Sequence, residues 1–291
     1  MPVLLNVAFI TLLERKILGY SQLRKGPNKV GFVGIPQPFN DAIKLFTKET
    51  VTPSVGNPSL FLIGPAVAII LSLLVWNVIP LLGRLNRIRL GIIFIYIVIR
   101  INIYPLIISG WASNRNYASI GGLRGVAQTV SYEVRFALII LFFLLTGERL
   151  RLRVIAIQNH AWIKVLLFFP IIILWLIIRL AETNRTPFDF AEGESELVSG
   201  FNIEYGRVGF ALIFMAEYAR IYFISCLITL IFFRSTIYSL GFILCSTRIV
   251  FVWVWVRTTL PRYRYDMLIN LAWCRFLPIT LALVIYRSAI A

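Results

Sequence analysis

The chain is a succession of long apolar runs that are separated by short polar segments. A helix needs about 20 mostly apolar residues to cross a bilayer, and most of these runs come close to that length. A shorter apolar run, from Met1 to about Leu13, predicts a further span whose beginning we expect to precede Met1. The full-length spans are predicted at Leu60–Leu82, Gly91–Trp111, Val126–Thr146, Ala161–Leu180, Val208–Phe233, Thr236–Val256 and Met267–Tyr286.

Composition supports this pattern, because 59% of the residues are hydrophobic and the mean hydropathy is +0.82. A soluble domain is rarely more than half apolar. An open sheet cannot satisfy its backbone in lipid, whereas a helix can. We therefore predict an all-α polytopic membrane protein with eight transmembrane helices, the first one truncated, in a single membrane domain over residues 1–291.

The polar segments alternate between the two sides of the membrane, since eight spans put both termini on one side. All lysines of these segments fall in one set, and such residues favour the inner side. We place that set on the inner side, and it holds every recognisable motif. The inner set comprises residues 14–59, 112–125, 181–207 and 257–266, and the outer set comprises 83–90, 147–160 and 234–235.

An amphipathic helix is predicted in the first inner segment. Apolar residues recur there with the spacing of one helix face, and charged residues fall on another face. Pro38 stands where a first-turn proline is tolerated. The segment is a helix on the membrane surface, or one wall of an entrance for an amphiphilic molecule, or both. The apolar positions are Phe39, Ala42, Ile43 and Phe46, and the charged ones are Asp41, Lys44 and Lys48.

Acidic residues are concentrated in the inner segment 181–207, although the whole chain holds only 13 Asp and Glu. Carboxylates this dense repel one another, which raises some of their pKa values and couples their titration. A charge run is most often a solvated loop. Here Pro187, Phe188 and Phe190 are interleaved with the acids, which favours a loop packed into protein. The acids are Glu182, Asp189, Glu192, Glu194, Glu196 and Glu204.

Two further carboxylates, Glu133 and Glu217, lie inside predicted spans. Each is about two turns from the predicted inner end, roughly 10–12 Å at 1.5 Å per residue. An ionisable residue at such a depth is typical of a proton relay. The alternative is a hydrogen bond that holds two helices together. Because more acids lie in the adjoining segment, we favour the relay.

Other classes of site find little support in the sequence. Cys226, Cys245 and Cys274 lie in apolar runs without a CxxC pair, which argues against a metal or iron–sulfur site built from cysteine. His160 lies between two spans and is assigned no function. A net charge of +16 is typical of proteins that bind nucleic acid or anionic lipid. We discount that charge, because many of the arginines are themselves anomalous.

The polar motifs, taken together and in order, resemble the mitochondrially encoded subunit 1 family of NADH:ubiquinone oxidoreductase, respiratory complex I. The match covers nearly the whole chain, and the acidic run is its most specific part. It looks most like an animal version, of the arthropod kind. The motifs are Leu13-Glu14-Arg15-Lys16, Arg24-Lys25-Gly26-Pro27-Asn28, Gln37-Pro38, Asp41–Phe46, Ala127–Glu133, Glu182–Asn202 and Arg257–Asp266.

The resemblance implies a core subunit of a proton-pumping enzyme in the mitochondrial inner membrane. In the family this subunit joins the hydrophilic arm to the membrane arm and forms most of the tunnel by which ubiquinone reaches the terminal iron–sulfur cluster. Its carboxylates begin the path toward the proton-pumping subunits. The chain is expected to bind no cofactor: NADH, FMN and the clusters belong to partner subunits, and ubiquinone is the substrate. Membrane lipids are further partners, and nucleic acid is not.

The site residues expected on this basis fall into two groups, and no metal ligand is expected among them. The carboxylates of the proton path are Glu133, Glu182, Asp189, Glu192 and Glu217. The residues expected around the quinone are Arg15, Arg24 and Asp41 at the entrance, Phe214 and Met215 against the tail, and Arg262 and Arg264.

Two other functions are compatible with the pattern. A stand-alone secondary transporter would use the acids as coupling sites, but transporters often contain two corresponding halves, and we find no such repeat. The membrane subunit of a related ion-translocating hydrogenase would need no quinone. Activity in isolation would indicate the transporter, whereas activity only within a large assembly would indicate a subunit.

Several arginines inside the predicted spans depart from the family pattern. Each opposes insertion by roughly 2.5–3.5 kcal/mol near a helix centre, and the spans lack carboxylates to pair them. The family has serine at several such places, and Asn114-Arg115-Asn116 resembles its Asn-Ser-Asn. Methionine is also scarce, at 3 residues. Invertebrate mitochondria read AGA and AGG as serine and ATA as methionine, so we infer that these arginines stand for serines. They are Arg100, Arg135, Arg179, Arg220, Arg248 and Arg275.

Overall fold

The computed structural model describes residues 2–49, 53, 56–79, 90–147, 169–198, 200–233 and 239–290. These residues form helices and connecting turns and contain no strand, which confirms the predicted all-α class. By length and composition, six helical segments of the described chain can cross a membrane, as expected of a polytopic membrane protein. They are Pro58–Val78, Gly91–Ala112, Asn116–Leu145, Arg207–Phe232, Leu240–Thr259 and Tyr265–Ala289.

Proline marks the beginning of several helices, since its fixed φ suits the first turn, where the N–H has no partner. A π-helical segment, Leu271–Phe276, joins the last two helices. The helices are α1 (Pro2–Ser21), α2 (Gln37–Thr47), α3 (Pro58–Leu74), α4 (Gly91–Ile101), α5 (Ile103–Ala112), α6 (Asn116–Gly147), α7 (Phe169–Glu182), α8 (Glu194–Leu197), α9 (Arg207–Phe232), α10 (Leu240–Thr259), α11 (Tyr265–Asn270) and α12 (Leu277–Ile290).

Two of the predicted inner segments are shorter in the structure. α1 continues to Ser21, so Glu14 and Arg15 lie on a helix although we predict the inner segment from residue 14. α6 begins at Asn116 rather than Val126, so most of the predicted segment 112–125 is helical. An apolar run indicates where a helix can lie in lipid, but polar residues of good helix propensity extend it further.

The number of eight spans stays a prediction. α1 is helical over 20 residues, but Glu14, Arg15 and Lys16 interrupt its apolar run. α7 covers the described part of the span predicted at Ala161–Leu180. The predicted outer segments, apart from residues 90 and 147, lie outside the described residues together with His160 and their arginines.

The centre of the bundle is α9, which is buried over nearly its whole length. It packs against α1, α2, α3 and α10. Beside it, Trp175 of α7 meets Phe136 of α6 and Phe232 of α9 edge to face, with ring centroids 5.3 and 6.0 Å apart. Aromatic pairs favour this geometry. The packing holds together α6, α7 and α9, which carry the intramembrane acids.

The predicted amphipathic segment is the helix α2, which contacts α1 and α9. Phe39 packs edge to face on Phe9 of α1 with centroids 6.0 Å apart. Ile43 and Phe46 are exposed on the apolar face of α2. An apolar face beside membrane-spanning helices suits a helix at the membrane surface, and that location stays a prediction.

Candidate functional site

The segment between α7 and α9, residues 183–206, is named here the acidic loop. Its apolar residues are buried: Phe188 is 6% exposed, Phe190 0% and Leu197 3%. Apolar side chains interleaved with acids therefore anchor the loop in the protein. For its described residues, the prediction of a packed rather than a solvated loop is confirmed.

Side chains distant in sequence hold the acidic loop in place. Arg124 of α6 pairs with Glu196 at 2.5 Å, and Arg115 pairs with Glu204 at 2.8 Å. Tyr205 stacks on the ring of Phe61 with centroids 4.2 Å apart. Sequence analysis missed these contacts, because it sees only the counter-charges that lie near the loop along the chain.

Arg185 connects the acidic loop to the membrane span α9. Its Nη2 donates to Oε2 of Glu217 at 2.6 Å, and its Nη1 lies 3.8 Å from Oε2 of Glu192. The guanidinium also lies over the rings of Phe214 and Tyr218, at 4.9 and 5.1 Å from their centroids. One buried cation thus contacts both a carboxylate of the loop and a carboxylate of a span.

Burial and neighbouring charges shift the pKa values of Arg185 and Asp189 in opposite directions. Burial lowers the pKa of Arg185, but Glu217, Tyr218, Glu192 and Asp189 together raise it above the ordinary value, so the side chain stays charged. Burial raises the pKa of Asp189, although Arg185 and Arg262 lower it in part. Asp189 therefore takes up a proton nearer to neutral pH than a solvated aspartate does.

A cavity of about 890 Å³, its open mouth included, lies among α3, α5, α6, α9 and the beginning of the acidic loop. Glu133 of α6, Glu182 at the end of α7 and Glu217 of α9 all line it. Glu133 pairs with Arg100, and Glu182 pairs with Arg179. The structure thus brings three of the five predicted proton-path acids to one cavity, and Arg185 links it to Glu192.

Because α6 begins earlier than predicted, Glu133 lies near the middle of its helix rather than two turns from the inner end. Glu217 lies in the first half of α9, about as predicted. Both side chains are buried, at 9% and 8% exposure. The two acids come from different helices and line one cavity.

A second cavity, of about 400 Å³, contains a buried carboxylate that sequence analysis did not assign to a site. Glu14 of α1 accepts a hydrogen bond from the hydroxyl of Tyr218 at 2.5 Å and pairs with Arg257 of α10. Arg185 lines the same cavity. The only signal in the sequence was the charged string after the first apolar run, which suggested a helix end.

Four of the predicted quinone residues lie on α1, α2 and α9, which contact one another. Arg15 of α1 pairs with Asp41 of α2 at 2.5 Å. On α9, the ring of Phe214 packs against that of Phe210 at a tilt of 41°, with centroids 4.2 Å apart, and Met215 packs against the apolar cluster between α1 and α9. Charged groups and apolar groups therefore meet where the three helices converge.

The other predicted quinone residues lie elsewhere. Arg24 follows α1, is exposed, and donates to Gln22 at 2.9 Å. Arg262 lies over the ring of Phe190 in the acidic loop, 5.6 Å from its centroid. Arg264 is exposed and forms a surface pair with Asp266 at 3.3 Å. These three arginines do not contact the group formed by Arg15 and Asp41.

The arginines inside the spans have different environments. Arg100 and Arg179 pair with Glu133 and Glu182, so the expectation that the spans lack carboxylates to pair them is wrong for these two. Arg135 is 0% exposed, and its Nε and Nη1 have no hydrogen-bond partner among the described residues. Arg248 and Arg275 are exposed along membrane-spanning helices, where a charged side chain meets lipid at high cost. The environments of Arg135, Arg248 and Arg275 suit a small polar residue, and serine at these positions stays a prediction.

Comparison with known proteins shows the family to which this chain belongs. The sequence model of the family described as NADH dehydrogenase matches residues 1–288. The chain belongs to this family. "NADH-ubiquinone oxidoreductase chain 1" of Anopheles gambiae is 54% identical over 280 residues, covering 96% of this chain and 89% of that protein. The protein of the same name from Hylobates lar is 48% identical, covering 100% of this chain and 94% of that protein.

Membership of the NADH dehydrogenase family confirms the family predicted from the motifs and identifies the chain as an enzyme subunit. With animal relatives and six apolar helices in its described part, it is a multi-pass mitochondrial membrane protein. Within the described residues, no three His, Cys, Asp or Glu side chains converge as a metal site.

Proposed function

We propose that this chain is the core membrane subunit of proton-pumping NADH:ubiquinone oxidoreductase in the mitochondrial inner membrane, that it admits ubiquinone, and that its carboxylates begin proton translocation. One observation carries the proposal: Arg185 contacts both Glu192 of the acidic loop and Glu217 of α9. A change of charge in the loop therefore acts directly on an acid inside the membrane.

Ubiquinone enters where α1, α2 and α9 converge. Its tail is apolar and its headgroup accepts hydrogen bonds, and this region offers Phe214 and Met215 for the tail and Arg15 for the headgroup. Beyond it lies the cavity with Glu14, Tyr218 and Arg257. A passage with apolar walls and a few polar groups fits an amphiphilic substrate.

Protons are exchanged along the series Asp189 and Glu192, then Glu217, then Glu182 and Glu133. Asp189 has a pKa raised by burial, and it contributes to the charge balance of Arg185. When the loop acids take up protons, Arg185 loses negative partners and binds Glu217 alone. Glu217 and Glu133 then communicate through the cavity that both of them line. Coulomb interactions between such groups are strong in a low-dielectric interior.

The inner face is covered by soluble partner subunits, which bring NADH, FMN and the iron–sulfur clusters. Leu23 and Phe32, in the segment between α1 and α2, are 99% and 83% exposed. Lys25 and Lys29 stand beside them. Apolar side chains this exposed on an inner segment are typical of a protein interface. Membrane-arm subunits and lipids cover the apolar faces of the spans.

Replacement of Met215 tests the quinone passage. Met215→Lys puts a charge among the apolar residues of α1 and α9, where an apolar quinone tail would have to pass it. Because an apolar tail cannot solvate that charge, we expect ubiquinone reduction to fall about tenfold or more while NADH oxidation by artificial acceptors stays native. Met215→Leu is the matched control and should keep both activities. Equal loss of both activities in Met215→Lys would make Met215 a structural residue and refute its place in the passage.

A further inference from the structure

Gln128 of α6 faces the acidic loop from a fully buried position, at 0% exposure. It continues a helix face that also contains Gly121 and Gly125, at the spacing of residues that lie above one another. A Cβ at Gly121 would lie 2.9 Å from the carbonyl oxygen of Ala191, and one at Gly125 would lie 3.0 Å from the Cβ of Ala191. The loop therefore rests directly on this face of α6.

The amide of Gln128 binds two separate segments. Its Nε2 donates to the carbonyl of Ala181, in the last turn of α7, at 2.7 Å, and to the carbonyl of Phe188, in the acidic loop, at 2.8 Å. Carbonyls in the last turn of a helix lack partners within the helix. Each of these two carbonyls also accepts one longer local bond, at 3.4 and 3.2 Å, from Asn184 and Phe190. Gln128 supplies the shorter bond in both cases.

The positions of the two carbonyls give these bonds their significance. Ala181 immediately precedes Glu182, and Phe188 immediately precedes Asp189. One side-chain amide thus fixes the backbone next to an acid that lines the cavity and next to an acid that faces Arg185. Together the two bonds tie the backbone beside Glu182 to the backbone beside Asp189.

We propose that Gln128 is a positioning residue for proton transfer, because it sets the placement of Glu182 relative to Asp189. The inference rests on the proposed role of these acids. Gln128 takes no proton itself, since an amide does not titrate in this range. Its requirement is chemical: two N–H donors on one nitrogen, which no isosteric apolar residue offers and which a carboxyl group offers only in part.

The test uses Gln128→Leu and Gln128→Glu in the assembled enzyme. Leucine keeps the volume but donates nothing, so ubiquinone reduction should fall about tenfold at every pH, as two lost hydrogen bonds predict. A protonated glutamic acid donates one hydrogen bond, and its ionised form donates none and repels both carbonyls. The activity of Gln128→Glu relative to the native enzyme should therefore fall as pH rises, whereas that of Gln128→Leu should not change with pH.

Matched controls separate positioning from packing. Val130→Thr alters an exposed position of the same helix and should leave both activities native. Gln128→Asn keeps the two donors on a shorter chain and should recover part of the activity lost in Gln128→Leu. NADH oxidation by artificial acceptors, measured per assembled complex, should be unchanged throughout. If Gln128→Leu does not assemble, the comparison of Gln128→Asn with Gln128→Glu decides, and equal, pH-independent activities would overturn the proposal.

Three further outcomes are distinguishable. Native activity in both Gln128→Leu and Gln128→Glu, with Asp189→Asn and Glu182→Gln impaired, refutes the positioning role and leaves the proposed function intact. Native activity in Asp189→Asn and Glu182→Gln refutes the role of the acids themselves, and with it the inference about Gln128. Identical pH profiles for Gln128→Leu and Gln128→Glu would make Gln128 a packing residue.

Discussion

Arg185 illustrates, at the scale of single residues, how this protein keeps charge inside a membrane bundle. Its guanidinium is buried, pairs with Glu217 and lies near Glu192, and rests on two aromatic rings. Removing one partner of such a buried pair leaves an uncompensated charge, which costs about 3–5 kcal/mol. Sequence analysis did not single out Arg185, because its contacts with α9 depend on the tertiary fold.

Asp189→Asn should flatten the acidic side of the pH profile of ubiquinone reduction. Burial holds the pKa of Asp189 above its ordinary value. As pH falls through that raised pKa, the carboxylate takes up a proton and Arg185 loses a negative partner. Asparagine lacks this titration, so we expect a lower rate at neutral pH that changes less toward acid. A pH profile of Asp189→Asn with the native slope and rate would exclude Asp189 from the proposed proton path.

The arginines inside the spans lead to a prediction about the protein's chemistry. If they stand for serines, peptide mass spectrometry of the native protein will find the mass of serine at positions 135 and 220, and trypsin will not cleave there. Arg135, buried with two guanidinium nitrogens that lack partners in the described part of the chain, is the most informative position. Finding arginine at both positions would end the serine hypothesis.

Among the helices, the sequence predicted the spans well and their polar ends poorly. Gly91–Trp111 and Val208–Phe233 agree with the structure to within a residue, because a long apolar run leaves a helix no alternative in lipid. The start of α6 and the end of α1 lie many residues beyond the predicted ends of their spans. Polar residues that follow an apolar run can continue the same helix, so the run does not show where the helix ends. The packed acidic loop was foreseen from its phenylalanines, and the residues that hold it were not.

The contact between α1 and α2 leads to a prediction for the quinone entrance. Arg15 and Asp41 are both partly exposed, so their pair should contribute less than about 1 kcal/mol to stability. Arg15→Gln should therefore assemble normally while raising the KM for ubiquinone severalfold at a nearly native kcat. Lys44→Gln, which removes a charge from α2 near Asp41, is the control. An unchanged KM in Arg15→Gln would show that the pair of Arg15 and Asp41 takes no part in ubiquinone entry.

At the scale of the whole molecule, Arg185 connects the carboxylates of the acidic loop to those of the helical bundle. Family membership follows from the sequence alone, because the motifs are long and in order. The cavity shared by Glu133, Glu182 and Glu217 cannot be predicted from the sequence alone, since these residues come from three helices that are distant along the chain. Periodicity places each acid on its helix but cannot say that the three helices turn them toward one space.

The account's central claim is that the acids in this cavity couple quinone chemistry to proton movement, and Glu133→Gln tests it most directly. Glutamine keeps the shape and the hydrogen bonding of Glu133 but cannot exchange a proton. The measurement is proton pumping together with coupled ubiquinone reduction in the assembled complex, with Glu133→Asp as the partial rescue. We predict that Glu133→Gln assembles and loses both activities together, and that Glu133→Asp keeps part of each. A Glu133→Gln enzyme that assembles and pumps at the native rate would contradict the account.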